Sequence, residues 1–201
     1  MQNDTERQIL EAAKNIFVKK GFAGARMQEI ANEANINKSM LHYYFRSKEM
    51  LFEKILDDSV EMMIPELLKA ISGEGAVMEK LERLVEVYID TISHNPHIPM
   101  FVLNELAQQH LNFVDKVKAK MSGHQAFVSF FTQVAEEQQK GILKPIPPHH
   151  LMLTVMSLIV FPFVANPIFR NILEIPADQY NQMMLERKEI VINFLKDGLL
   201  V

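Results

Sequence analysis

Residues 21–51 read GFAGARMQEIANEANINKSMLHYYFRSKEML, and their spacing points to two short helices joined by a tight turn. Met27, Ile30, Ala31 and Ala34 fall three or four residues apart, the period of one helical face. Asn35-Ile36-Asn37 follows as the turn, since Asn enters the left-handed conformation more readily than most residues. Asn37 then offers its side-chain oxygen as N-cap to a helix from Lys38 to Phe45, with Leu41 and Phe45 inward. Gly21 ends the helix before this stretch, and Ser47 caps the one after it. Upstream, Ile9, Ala13, Ile16 and Phe17 mark one face of a first helix, with Asn3 and Glu6 as a capping pair at its start. Helices this short are unstable alone. A shared core of Ile9, Ile16, Phe17, Phe22, Ile30, Ile36, Leu41 and Phe45 is therefore expected to hold them together. These are the proportions of a helix-turn-helix, in which the last helix enters the major groove. Lys38, Ser39, Met40, His42 and Tyr43 are left projecting from that helix. Hydrogen-bond donors, flat rings and a thioether suit phosphates, base edges and thymine methyl groups.

The whole chain has 201 residues, of which 48% are hydrophobic and 23% charged. That allows one large domain or two small ones with a sizeable core. The absence of cysteine excludes disulfides, thiolate metal sites and a cysteine nucleophile. The net charge of −4 hides an asymmetry, because residues 1–48 carry eight basic and five acidic side chains. A module of net charge +3 thus precedes a body of −7, the balance that a local contact with phosphates requires. The N-terminal MQNDTERQ lacks the apolar stretch of a secretory leader, so a cytoplasmic location is expected.

Helical periodicity continues through a fourth helix at 47–71, where Pro65 is expected to produce a kink. Gly73 and Gly75 mark a joint, after which helices are expected at 76–94, 97–107, 110–120, 123–140, 148–165 and 178–197. The expected fold class is all-α. The stretch 151–169 (LMLTVMSLIVFPFVANPIF) carries no charge and has the length of a bilayer span. Pro162, Asn166 and Pro167 interrupt it, so a helix buried between its own core and a partner subunit is expected, with no membrane involved.

One set of residues resembles the tetracycline-repressor (TetR) family of bacterial regulators. The set is Gly21-Phe22, Gln28-Glu29-Ile30-Ala31, Glu33-Ala34, Ile36, Lys38, Leu41-His42-Tyr43-Tyr44-Phe45 and Ser47-Lys48-Glu49-Met50-Leu51. The resemblance implies a DNA-binding domain over residues 1–48, the connecting helix 47–71, and a ligand-binding and dimerisation domain over 49–201. It places Lys38, Ser39, Met40, His42 and Tyr43 on the recognition helix. It gives Tyr43, Tyr44 and Lys48 phosphate contacts and lets Gln28 reach a base edge. This sequence departs from the family's pattern at several points. Ala25-Arg26 stands where Thr-Thr is common, and Arg26 is the candidate replacement for the hydroxyl contact. Ser39 and His42 replace a common Gly and Tyr, which sets the operator apart rather than the fold.

The resemblance further implies a homodimer on a near-palindromic operator, repression relieved by a small-molecule effector, and neither enzymatic activity nor a cofactor. In the family the last two long helices build the dimer, which makes Met183, Met184, Arg187, Val191, Phe194 and Leu195 the interface candidates on the final helix. Tyr180 shares their stripe. An apolar effector cavity has candidates in Met100, Phe101, Phe127, Phe130, Phe131, Met152, Met156 and Phe161, with Tyr88 and Asn104 as polar handles. Ordinary core packing is the alternative for each of these. Two rival functions remain, an interaction module without DNA binding and an all-α enzyme using His94, His97 or His110. The enzyme needs an acid-base pair or cofactor motif that the sequence does not display. Pro96 separates His94 from His97, and the adjacent His149 and His150 diverge on a helix, so no metal site is expected.

Overall fold

Eleven helices make up the residues that the computed structural model describes, 2–107, 111–121 and 125–201. They are α1 (Gln2–Gly24), α2 (Met27–Glu33), α3 (Lys38–Tyr44), α4 (Lys48–Ser72), α5 (Val77–His94), α6 (Ile98–Ala107), α7 (Leu111–Met121), α8 (Ala126–Gln139), α9 (Pro148–Val164), α10 (Asn166–Ile172) and α11 (Ala177–Leu199). Among the described residues there is no strand, and one isolated bridge joins Leu143 to Leu200. The chain packs as two units, one formed by Met1–Met62 with Pro96–Lys116 and the other by Met63–Asn95 with Val117–Val201.

In the first unit, α1, α2 and α3 close on Ile9, Ile16, Phe17, Ile30, Leu41 and Phe45, all buried, while Phe22 and Ile36 are half-buried. The turn between α2 and α3 is a Schellman motif. Asn35 takes φ 52, its N–H donates to the Asn32 carbonyl, and the Ile36 N–H reaches the Ala31 carbonyl. The next helix starts on its expected cap, because Asn37 Oδ1 accepts the Met40 N–H at 2.7 Å. Ser47 Oγ accepts the Met50 N–H at 3.3 Å, starting α4 in the same way.

Two expectations differ from the structure, the start of α1 and the break at Asn166-Pro167. Helix α1 starts at Gln2, so Asn3 lies within it rather than before it. Gly21 leaves the helical region at φ 68 and ψ 170, so the first helical run ends there as expected, and a short last turn to Gly24 follows across the kink. Helix α10 forms where the sequence predicts a break at Asn166-Pro167. Pro is tolerated in a first helical turn, where its missing N–H has no partner to lose, and Pro167 occupies that turn. Helix α4 runs from Lys48 to Ser72 with Pro65 inside it. The expected helix starts at 110 and 123 lie outside the described residues.

The second unit has a core of α5, α8, α9 and α11 side chains, including Leu81, Val85, Phe130, Val134, Leu151, Val155, Ile159, Val191 and Leu195. Helix α9 continues through Pro162, which has no N–H to give the Leu158 carbonyl. Arg187 of α11 supplies the missing donor, its Nε reaching that carbonyl at 3.0 Å. Burial lowers the pKa of the Arg187 guanidinium. The Tyr180 hydroxyl donates to the Pro162 carbonyl at 2.8 Å. Within this unit α9 buries Leu151, Val155 and Ile159 and leaves Leu153 and Phe161 exposed. Among the described residues no single helix is long and apolar enough to cross a membrane, and α9 and α10 meet at a bend of 63°.

Candidate nucleic-acid interface

Helix α3 is anchored by two side chains four residues apart, Leu41 and Phe45, both buried. Full burial of one such side chain stabilises by roughly 1.5–3 kcal/mol, enough to fix which way a seven-residue helix faces. Everything the sequence nominated on α3 then lies outward. Lys38, Ser39, Met40, His42 and Tyr43 are exposed, Tyr43 by 75%, while Tyr44 is half-buried. The two tyrosine rings stand edge to face, with centroids 5.4 Å apart. His42 Nδ1 lies 3.2 Å from the Arg46 carbonyl. Because a carbonyl only accepts, this contact calls for the proton on Nδ1.

The other nominated residues surround this helix in different ways. Arg26 is exposed at the N-cap of α2, and its side chain makes no capping hydrogen bond. Gln28 is exposed, and its Nε2 donates to Asn32 Oδ1 at 2.9 Å along α2. Lys48 is half-buried. Its Nζ donates to the Phe22 carbonyl at 2.7 Å and the Ala25 carbonyl at 3.3 Å, and it lies 4.4 Å from the centre of the Phe22 ring. The ammonium therefore ties the start of α4 to the junction of α1 and α2, with one of its three N–H donors left over. Behind α2, Lys20 donates to Glu29 at 2.8 Å, and that hydrogen bond holds the Glu29 carboxyl below its usual range. Some of the positive charge in this module is thus spent inside it.

The residues nominated for an effector cavity fall in both units. Met100, Phe101 and Asn104 belong to the first unit, and Tyr88, Phe127, Phe130, Phe131, Met152, Met156 and Phe161 to the second. Phe101 is core. Its ring stacks on Phe52 at 4.2 Å and meets Phe17 edge-on at 5.5 Å. Phe130 is fully buried, with Tyr88, Phe127, Phe131, Met152 and Met156 packed against the same cluster. Burial raises the Tyr88 phenol above its usual pKa. Met100 and Phe161 are exposed. Asn104 Nδ2 is buried without a hydrogen-bond partner among the described residues.

The interface candidates on α11 divide between two faces. Met184, Val191 and Leu195 are buried, as is Tyr180, which assigns them to the core of their own subunit rather than to an outer surface. Met183 and Phe194 are exposed, Phe194 by 63%, and Arg187 is half-buried between them. Ile190, 61% exposed, completes that outer row at spacings of four, three and four. Sequence reasoning missed Ile190, although the 183–187–190–194 spacing was available to show it. Arg187, Phe161 and Leu153 of this outer region line one shallow groove of about 420 Å³ with His150, Thr154 and Ser157.

Of the three histidines considered for the rival enzyme, two lie among the described residues. His94 is exposed, with Nδ1 2.8 Å from its own helix's Asp90 carbonyl. His97 is buried in the first unit, its Nε2 3.4 Å from Ser59 Oγ and its ring 5.6 Å from that of Phe101. Ser59 donates to the Ile55 carbonyl at 2.7 Å, so its hydroxyl proton is not directed at the imidazole. Burial and then the Lys14 charge push His97 down to about 4. His110 lies outside the described residues. Among the described residues no three His, Asp or Glu side chains are placed to hold a metal ion.

Two family models match the chain. One, described as bacterial regulatory proteins of the tetR family, covers residues 9–55, and the other, a tetracyclin repressor-like C-terminal domain, covers 78–193. The chain is 27% identical over 156 residues to the HTH-type transcriptional regulator RutR of Escherichia coli, spanning 76% of this chain and 70% of RutR. It is 27% identical over 158 residues to the HTH-type transcriptional repressor NicS of Pseudomonas putida, spanning 78% and 74%. The solved structure of the ketosteroid transcriptional regulator KstR2 of Mycobacterium tuberculosis superposes with a TM-score of 0.70 at 16% identity, covering 98% of this chain and 95% of that one. That likeness concerns the fold.

Proposed function

Because the chain belongs to the tetR family of bacterial regulatory proteins and is a DNA-binding transcription regulator, we propose that it acts as a cytoplasmic, homodimeric repressor released by a small apolar effector. The observation that carries the DNA-binding part is the outward set on α3, held in one orientation by Leu41 and Phe45. Ser39, Met40, His42 and Tyr43 read base edges, with Gln28 reaching in from α2. Lys38, Arg26 and the Tyr43 and Tyr44 hydroxyls hold phosphates. Lys48 acts mainly through the scaffold, with its remaining N–H available to a phosphate.

Two recognition helices reading a near-palindrome require a two-fold axis. The outer row Met183, Arg187, Ile190 and Phe194, continued by Leu153 and Phe161 of α9, is the surface we assign to the second subunit, since isolated subunits rarely expose so much apolar area. Helix α4 starts in the first unit and ends in the second, which makes it the lever through which an effector shifts the population of heads unable to fit the operator.

The test is selection of duplexes from a random pool, followed by binding measured across salt concentrations. A palindromic consensus and a steep fall in affinity with salt are expected. Binding that is salt-independent and blind to sequence would leave the interaction-module reading in its place.

A further inference from the structure

Residues 1–48 hold eight basic side chains, and the contacts inside the module decide which of them stay available to DNA. On α1, Lys14 pairs with Glu11 at 2.7 Å, Lys19 with Glu33 at 3.8 Å and Lys20 with Glu29 at 2.8 Å. Arg26 stands near the same Glu29 carboxylate. Lys48 turns inward to the Phe22 and Ala25 carbonyls. Of the remaining three, Arg7 lies on α1, while Lys38 and Arg46 flank α3. Arg46 is exposed, and its guanidinium makes no hydrogen bond or ion pair among the described residues. The nearest acid along the chain, Glu49, is engaged at the start of α4. Its own backbone N–H and the Ser47 hydroxyl hold that carboxyl below its usual range.

The backbone around Arg46 is held on both sides. Phe45 leaves α3 in an extended conformation, φ −135 and ψ 110, with its ring buried. Side chains alternate along extended backbone, so Arg46 is directed away from that core. The Arg46 carbonyl lies 3.2 Å from His42 Nδ1, and the next residue, Ser47, caps α4. Its main chain is therefore ordered before any ligand arrives, which lowers the cost of a contact. In helix-turn-helix docking the first turn of the recognition helix faces the base edges. Helix α3 has seven residues, a length of about 10 Å, and the major groove is about 8.5 Å deep. A side chain just past the last turn of α3 thus stands at the rim of the groove, beside the phosphates.

We propose that Arg46 clamps a DNA phosphate at this rim and carries the larger part of the contact that the family resemblance gives to Lys48. A guanidinium presents its donors as a planar fork that matches two phosphate oxygens at once. Lys48 braces the junction of α1 and α2 instead, through the two carbonyls and the Phe22 ring. The assignment rests on α3 being the helix that enters the groove.

The experiment follows binding of the full chain to a short labelled duplex of arbitrary sequence by fluorescence anisotropy, between about 50 and 200 mM salt. Arg46→Gln should lower the salt slope by about 0.9 for each bound α3, so that its loss of affinity shrinks roughly threefold per helix across that range. Arg46→Lys should keep the slope, since a point charge still meets the phosphate. Lys140→Gln, an exposed lysine in the second unit, should leave it as in the parent. Lys48→Met should lower the melting temperature and reduce the slope by less than Arg46→Gln does. An unchanged slope in Arg46→Gln overturns the proposal, as does an equal or larger slope loss in a Lys48→Met protein that melts like the parent. If the parent's slope is steep and Arg46→Gln keeps it, the Arg46 assignment alone falls. If the parent itself binds without salt dependence, the groove reading of α3 falls with it.

Discussion

Replacing Arg187 with Met removes one hydrogen bond whose worth depends on Pro162. The Leu158 carbonyl has lost its helical donor because residue 162 is a proline, and Arg187 Nε stands in at 3.0 Å. A hydrogen bond from a charged donor contributes about 1.5–3 kcal/mol. Leu158 and Arg187 are only half-buried and border an open groove, so water recovers part of that, and a loss of about 1–2 kcal/mol is expected. Met keeps the apolar stem, which separates the lost donor from lost packing. In a Pro162→Ala background residue 162 has an N–H again, and Arg187→Met should then cost no more than about 0.5 kcal/mol. The coupling in the double-mutant cycle is therefore about 1 kcal/mol. Urea unfolding followed by circular dichroism, at one fixed protein concentration so that self-association is the same throughout, measures all four corners. An equal cost of Arg187→Met in both backgrounds would refute the assignment of Arg187 as the substitute donor.

Other outcomes follow from the same geometry. His42→Ala should relax preference at one base pair by about 1–3 kcal/mol, whereas Lys38→Ala should weaken all duplexes alike and reduce the salt slope by about one. Competition against a panel of single-base operator variants tells these apart, and identical profiles for the two proteins would count against both roles. Asn37→Ala should cost about 1 kcal/mol by removing the cap on Met40. A melting temperature equal to that of the parent protein would show that the cap is idle.

His97 gives a pH dependence with a definite sign. Its folded value of about 4 lies below the ordinary 6.5, so the unfolded chain binds more protons between these values. Its contribution is full above pH 6.5 and is lost as pH falls toward 4, by at most roughly 3 kcal/mol. The stability difference between the parent and His97→Asn should shrink across that window, and a difference flat in pH would contradict the buried neutral ring. Finally, Phe194→Ala should weaken the dimer in sedimentation with little effect on subunit folding, while Leu195→Ala should cost about 2–5 kcal/mol of folding stability. The reverse pattern would exchange the two faces of α11.

Much of the DNA-binding module was legible because its determinants are local. A cap, a left-handed Asn and apolar residues three or four apart act within one turn of chain, so the roles of Asn37, Asn35, Leu41 and Phe45 can be read without knowledge of any tertiary contact. Lys48 shows where that reasoning stops. Its position at the start of α4 suggested a phosphate, but the carbonyls it meets belong to Phe22 and Ala25, more than twenty residues earlier. Phe101 is likewise open to either cavity or core when read from the sequence. Its actual partners, Phe52 and Phe17, come from α4 and α1.

The sequence alone determined the all-helical class, the helix-turn-helix and the outward set on its third helix, because helical period and capping chemistry are encoded at neighbouring positions. Tertiary structure alone decided which apolar residues are core and which are surface on the later helices. On α11 the stripe from Tyr180 to Leu195 spans more than one side of the cylinder, and only the packing of other helices, α5 above all and then α9, decides that Met184, Val191 and Leu195 are buried while Ile190 and Phe194 stay outside. It also gave the Leu158 carbonyl its donor and turned Lys48 inward to the Phe22 and Ala25 carbonyls. Those meetings join residues more than twenty positions apart, and no periodicity along the chain encodes a distance of that kind.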